Sequence, residues 1–401
     1  MKLSKCKNLF PVLAEEHDCT GCMACLSSCP VNAIQSRKGD DGHNYVEIDE
    51  DKCIGCKKCE KICQLSLSNY GDNDIRKSVV YAAWNTNSLD RLNSTSGGIF
   101  SAIAKTVLAN QGAVVGATLE GRQCKHILIS KVDDIYKLQG SKYMASSMEG
   151  IYNVIEEELC KGIVLFTGVG CQCAGVLAYF DKHKYRKNLI TVDLVCGGAP
   201  SKILLDKYYL NNLDVEKIIS FRNKDKYTLR IVKNGEIVND NSKNLPLHGF
   251  NCDLTSRFSC YHCQFACAHR KTDLTIGDLW NYNIYKDEHE KGISTIIIHT
   301  EAGKNLVDNS NVELHQIKWK DCLCYCRRIV SGEGHIFRPR RNLARNAKNM
   351  PYENFVKLYC ISMKPRDCIL FVFRIYRFIV NRFLHFRIDY RINRILKKYE
   401  A

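Results

Sequence analysis

No apolar run in this chain is long enough to cross a bilayer, because Arg interrupts every candidate stretch. The start of the sequence has Lys2, Lys5 and Lys7 ahead of only the short apolar patch Leu9–Ala14, too little for the core of a secretory leader. No recognised nucleic-acid module accompanies the basic residues, so nucleic acid is not an expected partner. Acidic side chains are the scarcer sign: 43 Asp and Glu stand against 58 Lys and Arg, a formal charge of +15. Cysteine, by contrast, is plentiful, with 23 in 401 residues. With 45% hydrophobic and 25% charged residues, a chain of this length is an ordinary globular protein of two or three compact units. It is not a small secreted disulfide scaffold. Thiolates kept as ligands point to a reducing cytoplasm.

Eight cysteines form two matched runs, Cys19-x2-Cys22-x2-Cys25-x3-Cys29-Pro30 and Cys53-x2-Cys56-x2-Cys59-x3-Cys63. This is the ligand spacing of a two-cluster bacterial ferredoxin, in which the fourth Cys of each run ligates the other cluster. One 4Fe–4S cluster is therefore assigned to Cys19, Cys22, Cys25 and Cys63, and the other to Cys53, Cys56, Cys59 and Cys29. Gly21 and Gly55 stand where the backbone must bend tightly around sulfide. Gln64 replaces the second Pro of the pattern, which affects turn rigidity and not ligation. Zinc sites more often show separate Cys pairs. Each cluster carries about −2 with its thiolates, so the loaded protein is less basic than +15, by about 4 to 6 charges for two or three clusters.

Residues 64–78 read as a polar linker. Beyond them, strand-like runs (Val79–Trp84, Ala113–Leu119, Ile127–Lys131, Ile163–Thr167, Leu189–Val195) alternate with helical ones (Ile99–Ala109, Ile151–Leu159, Ala174–Phe180, Ser201–Leu210). Asn234-Gly235 suggests a type I′ hairpin between Tyr227–Val232 and Glu236–Val238. Thr272–Ile276 and Ile293–Thr300 complete the strands. The expected fold is an α+β two-cluster ferredoxin domain (10–70), then an α/β domain with a mixed, partly parallel sheet (75–335), then a helical basic tail (336–401).

Cys171 and Cys196 each follow a predicted parallel strand and precede a predicted helix. Sites in open parallel sheets form at those carboxyl ends, and helix N-termini favour anions. With Cys260 and Cys263 they make four thiolates, read as a third 4Fe–4S cluster at the sheet edge. Two alternatives stay open: a zinc site of Cys260, Cys263, Cys267 and His269, or ordinary buried cysteines, Cys173 among the candidates. Cys322-x-Cys324-x-Cys326 has period two, so a strand would place all three on one face, as core positions.

The segments "STSGGIFSAIA" (94–104), "QGSKYMASS" (139–147), "VLFTGVGCQCAGVLAYF" (164–180), "VDLVCGGAPS" (192–201), "CYHC" (260–263) and "DLTIGDLW" (273–280) occur in fixed order. This series resembles the beta subunit of deazaflavin (coenzyme F420) hydrogenases and dehydrogenases, over about residues 15 to 330. The same family includes a chlorophyll-cycle reductase and proteins of polysaccharide gene clusters. The resemblance implies FAD beside 4Fe–4S clusters and, in some members, hydride exchange with the deazaflavin. It places Cys171, Cys196, Cys260 and Cys263 on the cluster cysteines, and Ser96, Gly97, Gly98, Lys142 and Tyr143 near the flavin. Val169-Gly170 stands where the family usually has Thr-Pro, and Asn281 where it often has Gly; both departures bear on the flavin or substrate pocket. Independently, Ser-Thr-Ser-Gly-Gly at a helix start suits a phosphate or an ordinary cap. A lone Lys142 would ordinarily be solvated, Asp278 an exposed loop acid and Trp280 a core aromatic.

The tail alternates apolar residues with Arg374, Arg377, Arg382, Arg387, Arg391 and Arg394, after a basic run at Arg338, Arg340, Arg341 and Arg345. This is the pattern of a basic amphipathic helix, for a peripheral membrane contact, an acidic partner or packing on its own domain. The expected function is an iron–sulfur flavoprotein oxidoreductase. It would pass electrons between ferredoxin-type clusters and a flavin that exchanges hydride with a deazaflavin or another organic substrate, with a role in polysaccharide biosynthesis among the options. A protein donor or acceptor is its expected electron partner. The alternatives are a redox sensor and a non-catalytic electron relay within a larger complex. No catalytic acid is identifiable.

Overall fold

In the computed structural model, described residues are 10–65, 70–222, 228–240, 246–247, 250, 255–280, 282–331, 349–354 and 368–399. Arg338, Arg340, Arg341, Arg345 and Asn281 lie outside them. The first region holds α1 (Ala24–Ser27), the antiparallel pair β1 (Ile34–Lys38) and β2 (Asn44–Ile48), and α2 (Lys58–Ile62). The two cysteine runs repeat one backbone path. Gly21 and Gly55 have φ of 70° and 69°, Met23 and Lys57 have φ of 61° and 56°, and a short helix follows each. Two left-handed residues at the same offsets turn successive N–H groups inward, as wrapping an anion requires. β3 (Gly71–Asp72) leads out of this region and pairs with β12 (His269–Arg270).

The remaining chain is built on one eight-stranded sheet, ordered β15-β4-β14-β13-β8-β7-β5-β6. Its strands are β4 (Val79–Asn85), β5 (Ala113–Glu120), β6 (Gln123–Ile129), β7 (Val164–Val169), β8 (Leu189–Leu194), β13 (Leu274–Asp278), β14 (Ser294–Ile298) and β15 (Val312–Gln316). β5, β7, β8 and β13 are mutually parallel, and the other pairings are antiparallel. Two antiparallel steps through β14 leave β4 running with the parallel set. Asn85, Asp278, Leu194, Val169 and Glu120 therefore end at one edge. β9 (Val215–Ser220), β10 (Leu229–Lys233) and β11 (Glu236–Asp240) form a separate antiparallel sheet. Its β10–β11 turn has Asn234 at φ 51° and Gly235 at φ 78°, the two positive values a type I′ turn requires.

The helices are α3 (Ser88–Leu92), α4 (Ile99–Ala109), α5 (Ile151–Leu159), α6 (Gly170–Phe180), α7 (Ile203–Asn211), α8 (Lys286–His289), α9 (Glu301–Asp308), α10 (Trp319–Tyr325) and α11 (Cys368–Tyr399). Alternation along the strands sends Val114, Leu165 and Val192 to one face, against Ile103, Val107 and Leu306 of α4 and α9. It sends Val115, Val164 and Phe166 to the other, against Ile155, Cys173 and Val176 of α5 and α6. Met23 and Ala24 join that second core, so α1 is packed directly on the sheet domain. Leu205, Tyr208 and Tyr209 of α7 pack on the small sheet.

One expectation needs correction, and one set of alternatives narrows. Cys322, Cys324 and Cys326 do not share a strand face: α10 is a helix ending at Tyr325, so Cys322 and Cys326, four residues apart, are buried while Cys324 is exposed. The basic tail is helical, and part of it is packed: Ile388, Ile392 and Ile395 are buried against Leu323 and Ile329. Among the described residues, no helix is long and apolar enough to cross a membrane.

Candidate functional site

The ferredoxin thiols gather as two crossed sets. Burial raises the Cys25 pKa, and the nearby charges of Cys22, Cys19 and Cys63 raise it further. Cys63, from the second run, thus sits with the first three. In the same way Cys59 is raised by burial with Cys29 and Cys56 as its charged neighbours, which puts Cys29 with the second run. Backbone N–H groups point at the sulfurs: Ala33 donates to Cys29 Sγ at 3.2 Å.

A second gathering lies where β7, β8 and the 260–263 loop meet. Cys171 opens α6 directly after β7, and Cys196 follows β8. Cys171 is raised well above its ordinary pKa by burial, with Cys263, Cys260 and Cys196 adding to it. Burial lifts Cys196 to about 11 and Cys260 to about 12. Four thiols held together out of water are poor free acids, and a bound cation would reverse that. They line a cavity together with Gly197, Gly198 and Arg270. The Gly198 amide donates to Cys196 Sγ at 3.3 Å.

These sets are too open for a single ion. Among the described residues, the only three His, Cys, Asp or Glu ligand atoms within 4.8 Å of one another belong to His17, Asp18 and His262. Tetrahedral zinc needs its sulfurs closer than that, at about 3.8 Å for Zn–S bonds of about 2.3 Å. The thiol sets fit a wider, multi-iron group. The local zinc alternative is not assembled either. His269 Nδ1 lies 2.8 Å from the Ser78 hydroxyl, and the Cys267 thiol donates to the His269 carbonyl at 3.2 Å. Cys173 is a core residue whose thiol donates to the carbonyls of Gly168 and Val192.

Two buried arginines flank this cavity, and the sequence reading passed over both. Arg270 pairs with Asp193 at 3.0 Å and donates to the carbonyls of Cys267 and Ile329. Arg257 donates to the carbonyls of Cys19 (3.3 Å) and Asn44 (2.7 Å) and lies 4.7 Å from the Tyr45 ring centroid. Its charge opposes the rise at both Cys19 and Cys260, so one guanidinium addresses both thiol groups. The available signal was position: each Arg stands a few residues from the Cys260–Cys263 pair. The two groups also touch through α6. Gly175, one turn after Cys171, packs on Cys22, and Cys22 is among the charges that raise Cys171. His262 Nε2 lies 2.9 Å from Asp18 Oδ1, closing the same seam from outside.

The residues implied for flavin lie farther along the same edge. Gly98, at φ 80°, precedes α4. Ser96 and Gly97 are already engaged: the Ser96 hydroxyl donates to the Ile293 carbonyl, and the Gly97 amide donates to Ser294 Oγ at 3.0 Å. The helix start therefore offers fewer free donors than the sequence suggested. Thr95 and Ser141 hydroxyls, 3.3 Å apart, bring the 94–98 segment beside 141–143. Lys142 is not solvated. Its ammonium donates to the carbonyls of Leu138 and Gln139 at 2.9 and 2.7 Å, and burial lowers its pKa to about 8. Tyr143 stacks on Phe250 at 4.1 Å. Phe250 in turn contacts the position of Gly197, next to Cys196. Asp278 is not a free loop acid: Arg222, only 5% exposed, grips it with two hydrogen bonds of 2.7 and 3.0 Å. Trp280 is half-buried, with the same guanidinium over its ring at 4.2 Å. Arg222 carried no sequence signal, because it lies in an unremarkable stretch and acts through partners 56 residues away.

Comparison with known proteins matches two regions of the chain. Residues 18–66 match the 4Fe-4S dicluster domain family, and residues 162–320 match the family described as the C terminus of the coenzyme F420 hydrogenase/dehydrogenase beta subunit. The chain is 25% identical over 324 residues to the coenzyme F420-dependent sulfite reductase of Methanocaldococcus jannaschii, covering 75% of this chain and 48% of that protein. A stretch of 39 residues is 54% identical to a putative iron-sulfur subunit of dimethyl sulfoxide reductase from Halobacterium salinarum, covering 10% of this chain and 13% of that one. The chain thus spans about half the length of the first relative and a small part of the second. A solved structure of the F420-reducing NiFe hydrogenase complex of Methanosarcina barkeri superposes with a TM-score of 0.44 at 17% identity, covering 70% of this chain and 91% of that one. The chain is thus similar in one region to 4Fe-4S dicluster domains and in another to coenzyme F420-dependent oxidoreductases. The two matched regions stand in that order, the dicluster match first and the beta-subunit match after it.

Proposed function

We propose that this chain is an oxidoreductase that carries electrons through three 4Fe–4S clusters to a flavin exchanging hydride with a deazaflavin or a similar organic substrate. The observation that carries the reading is the convergence of Cys171, Cys196, Cys260 and Cys263 at the sheet edge, with Cys22 of the ferredoxin region beside Cys171. The two crossed ferredoxin sets would hold the first two clusters, and the four edge thiolates the third. Flavin supplies the conversion between a two-electron hydride and the one-electron steps that clusters accept.

The chain's own residues supply position and charge. Arg257 and Arg270 place buried positive charge against the anionic sites, which favours added electrons. Phe250 lies against Gly197, next to Cys196, Tyr143 stacks on Phe250, and the Arg222 guanidinium, over the Trp280 ring, lies beside Tyr143. A planar, negatively charged cofactor suits such a lining. The M. jannaschii relative, named as F420-dependent, favours a deazaflavin over other hydride carriers.

Anaerobic purification followed by iron and flavin analysis tests the reading. About twelve irons and one flavin per chain are expected, and Cys171→Ala should lower iron to about eight. About eight irons in the unaltered chain would remove the third cluster. Absence of flavin after reconstitution would reduce the chain to an electron relay.

A further inference from the structure

The last helix has two apolar faces, and among the described residues only one of them is covered. Ile388, Ile392 and Ile395 are buried against the core around α10. An ion pair from Arg327 to Asp389 at 3.0 Å and a stack of Arg76 over the Tyr399 ring at 5.2 Å fix the helix rotationally. On the outer side Ile379, Phe383, Phe386 and Tyr390 are 57%, 64%, 67% and 63% exposed. Their spacing of i, i+4, i+7 and i+11 confines them to an arc of about 60° and a length of about 17 Å. Arg382 flanks this stripe on one side, and Arg387, Arg391 and Arg394 flank it on the other. Asp389, the one acidic residue of α11, is paired with Arg327.

We propose that this stripe seats α11 in the headgroup region of an anionic lipid bilayer, parallel to the surface. Four large apolar side chains on a ridge bordered by guanidinium groups match an interface that is apolar below and phosphate-rich at its level. The arginine stems can lie along the acyl boundary while their heads stay with phosphate. The ridge is narrow and convex. A bilayer yields to such a shape, whereas a protein partner would need a matching groove and a far larger contact. The helix is not apolar enough to cross, so it lies on the surface. The buried isoleucines hold the stripe outward, and the redox domain would rest against the membrane.

The test is co-sedimentation of the full, anaerobically purified chain with vesicles of phosphatidylcholine alone or with about a third phosphatidylglycerol. Anionic vesicles should bind at least about tenfold more tightly, and added salt should weaken that binding. Phe383→Ser with Phe386→Ser, and separately Arg382→Glu with Arg391→Glu, should each reduce binding by about tenfold or more. Both pairs lie outside the packed face, so iron content and the visible spectrum should not change. That readout separates failure of this proposal from failure of the cluster assignment. No binding to anionic vesicles, or binding indifferent to both double variants, overturns the proposal. Concentration-dependent dimerisation abolished by the Phe pair would assign the stripe to a second copy of the chain and overturn it equally.

Discussion

A Cβ atom placed on Gly175 would stand 2.8 Å from Cys22 Cβ and 2.9 Å from Cys22 Sγ. Cys22 belongs to the ferredoxin region, and Gly175 lies on α6, the helix that carries Cys171 in its first turn. The contact sets Cys22 against the helix that carries Cys171, and it exists because this helix position has no side chain. The Tyr152 hydroxyl donates to the Cys22 carbonyl at 2.7 Å and closes the contact from α5.

Gly175→Ala should force the two regions apart or distort the Cys22 loop. The expected cost is about 1–3 kcal/mol, read as a lowered melting temperature of the anaerobic protein, together with slower electron transfer between the clusters after rapid reduction. A variant with unchanged stability and unchanged transfer would mean the contact is easily relaxed.

Crossed ligation predicts which cysteine variants resemble each other. Cys63→Ser should perturb the same cluster spectrum as Cys22→Ser, and Cys29→Ser the same one as Cys56→Ser. Low-temperature electron paramagnetic resonance of the reduced protein distinguishes the two patterns. Grouping by run, with Cys63 alongside Cys56, would contradict the neighbours found for Cys25 and Cys59.

Arg222 and Asp278 should behave as a coupled pair. Arg222→Met leaves a carboxylate without its two hydrogen bonds, at a cost of about 3 kcal/mol; removing both charges with Asp278→Leu should recover much of it. Denaturant unfolding in a double-mutant cycle measures the coupling. Flavin retention should fall in the single variant while iron stays constant. Additive effects would show that the pair is only incidental.

His126 makes stability depend on acid. Its ring is stacked on Phe166 and lies 3.2 Å from the Thr167 carbonyl, and burial lowers its pKa to about 4. The unfolded imidazole protonates near pH 6.5, so the unfolded state binds more protons between these values. Its contribution is complete above about pH 6.5 and is lost as the pH falls toward 4, by at most about 3 kcal/mol. His43 and His299, also lowered by burial, act in the same direction, so the comparison must be between proteins. The melting temperature of His126→Gln should fall less steeply from pH 7 to 5 than that of the unaltered chain. Parallel slopes would remove His126 as the cause.

The ferredoxin runs were fully legible because local ligation needs only spacing and turn glycines. Most strands and helices were legible because Val114, Leu165 and Ile103 sit in clear periods of two and 3.6. The Cys322–Cys326 segment was misread because three cysteines at period two carry no information about the helix into which α10 folds. Arg257, Arg270 and Arg222 were missed because a lone Arg looks solvated until its partners are known. Lys142, placed near the flavin by the resemblance and ordinarily solvated as a lone Lys, is turned inward onto two carbonyls, which its sequence neighbours did not signal.

The sequence by itself determined that this protein handles electrons, since eight cysteines at fixed offsets leave little other chemistry open. It also marked the order of strands that brings Cys171 and Cys196 to one edge. Only the tertiary structure decided that Cys22 touches the Cys171 helix, that buried arginines flank the thiols, and that one face of the last helix is exposed among the described residues. Ligation is fixed by separations of a few residues along the chain, whereas packing and burial depend on partners that are distant in sequence.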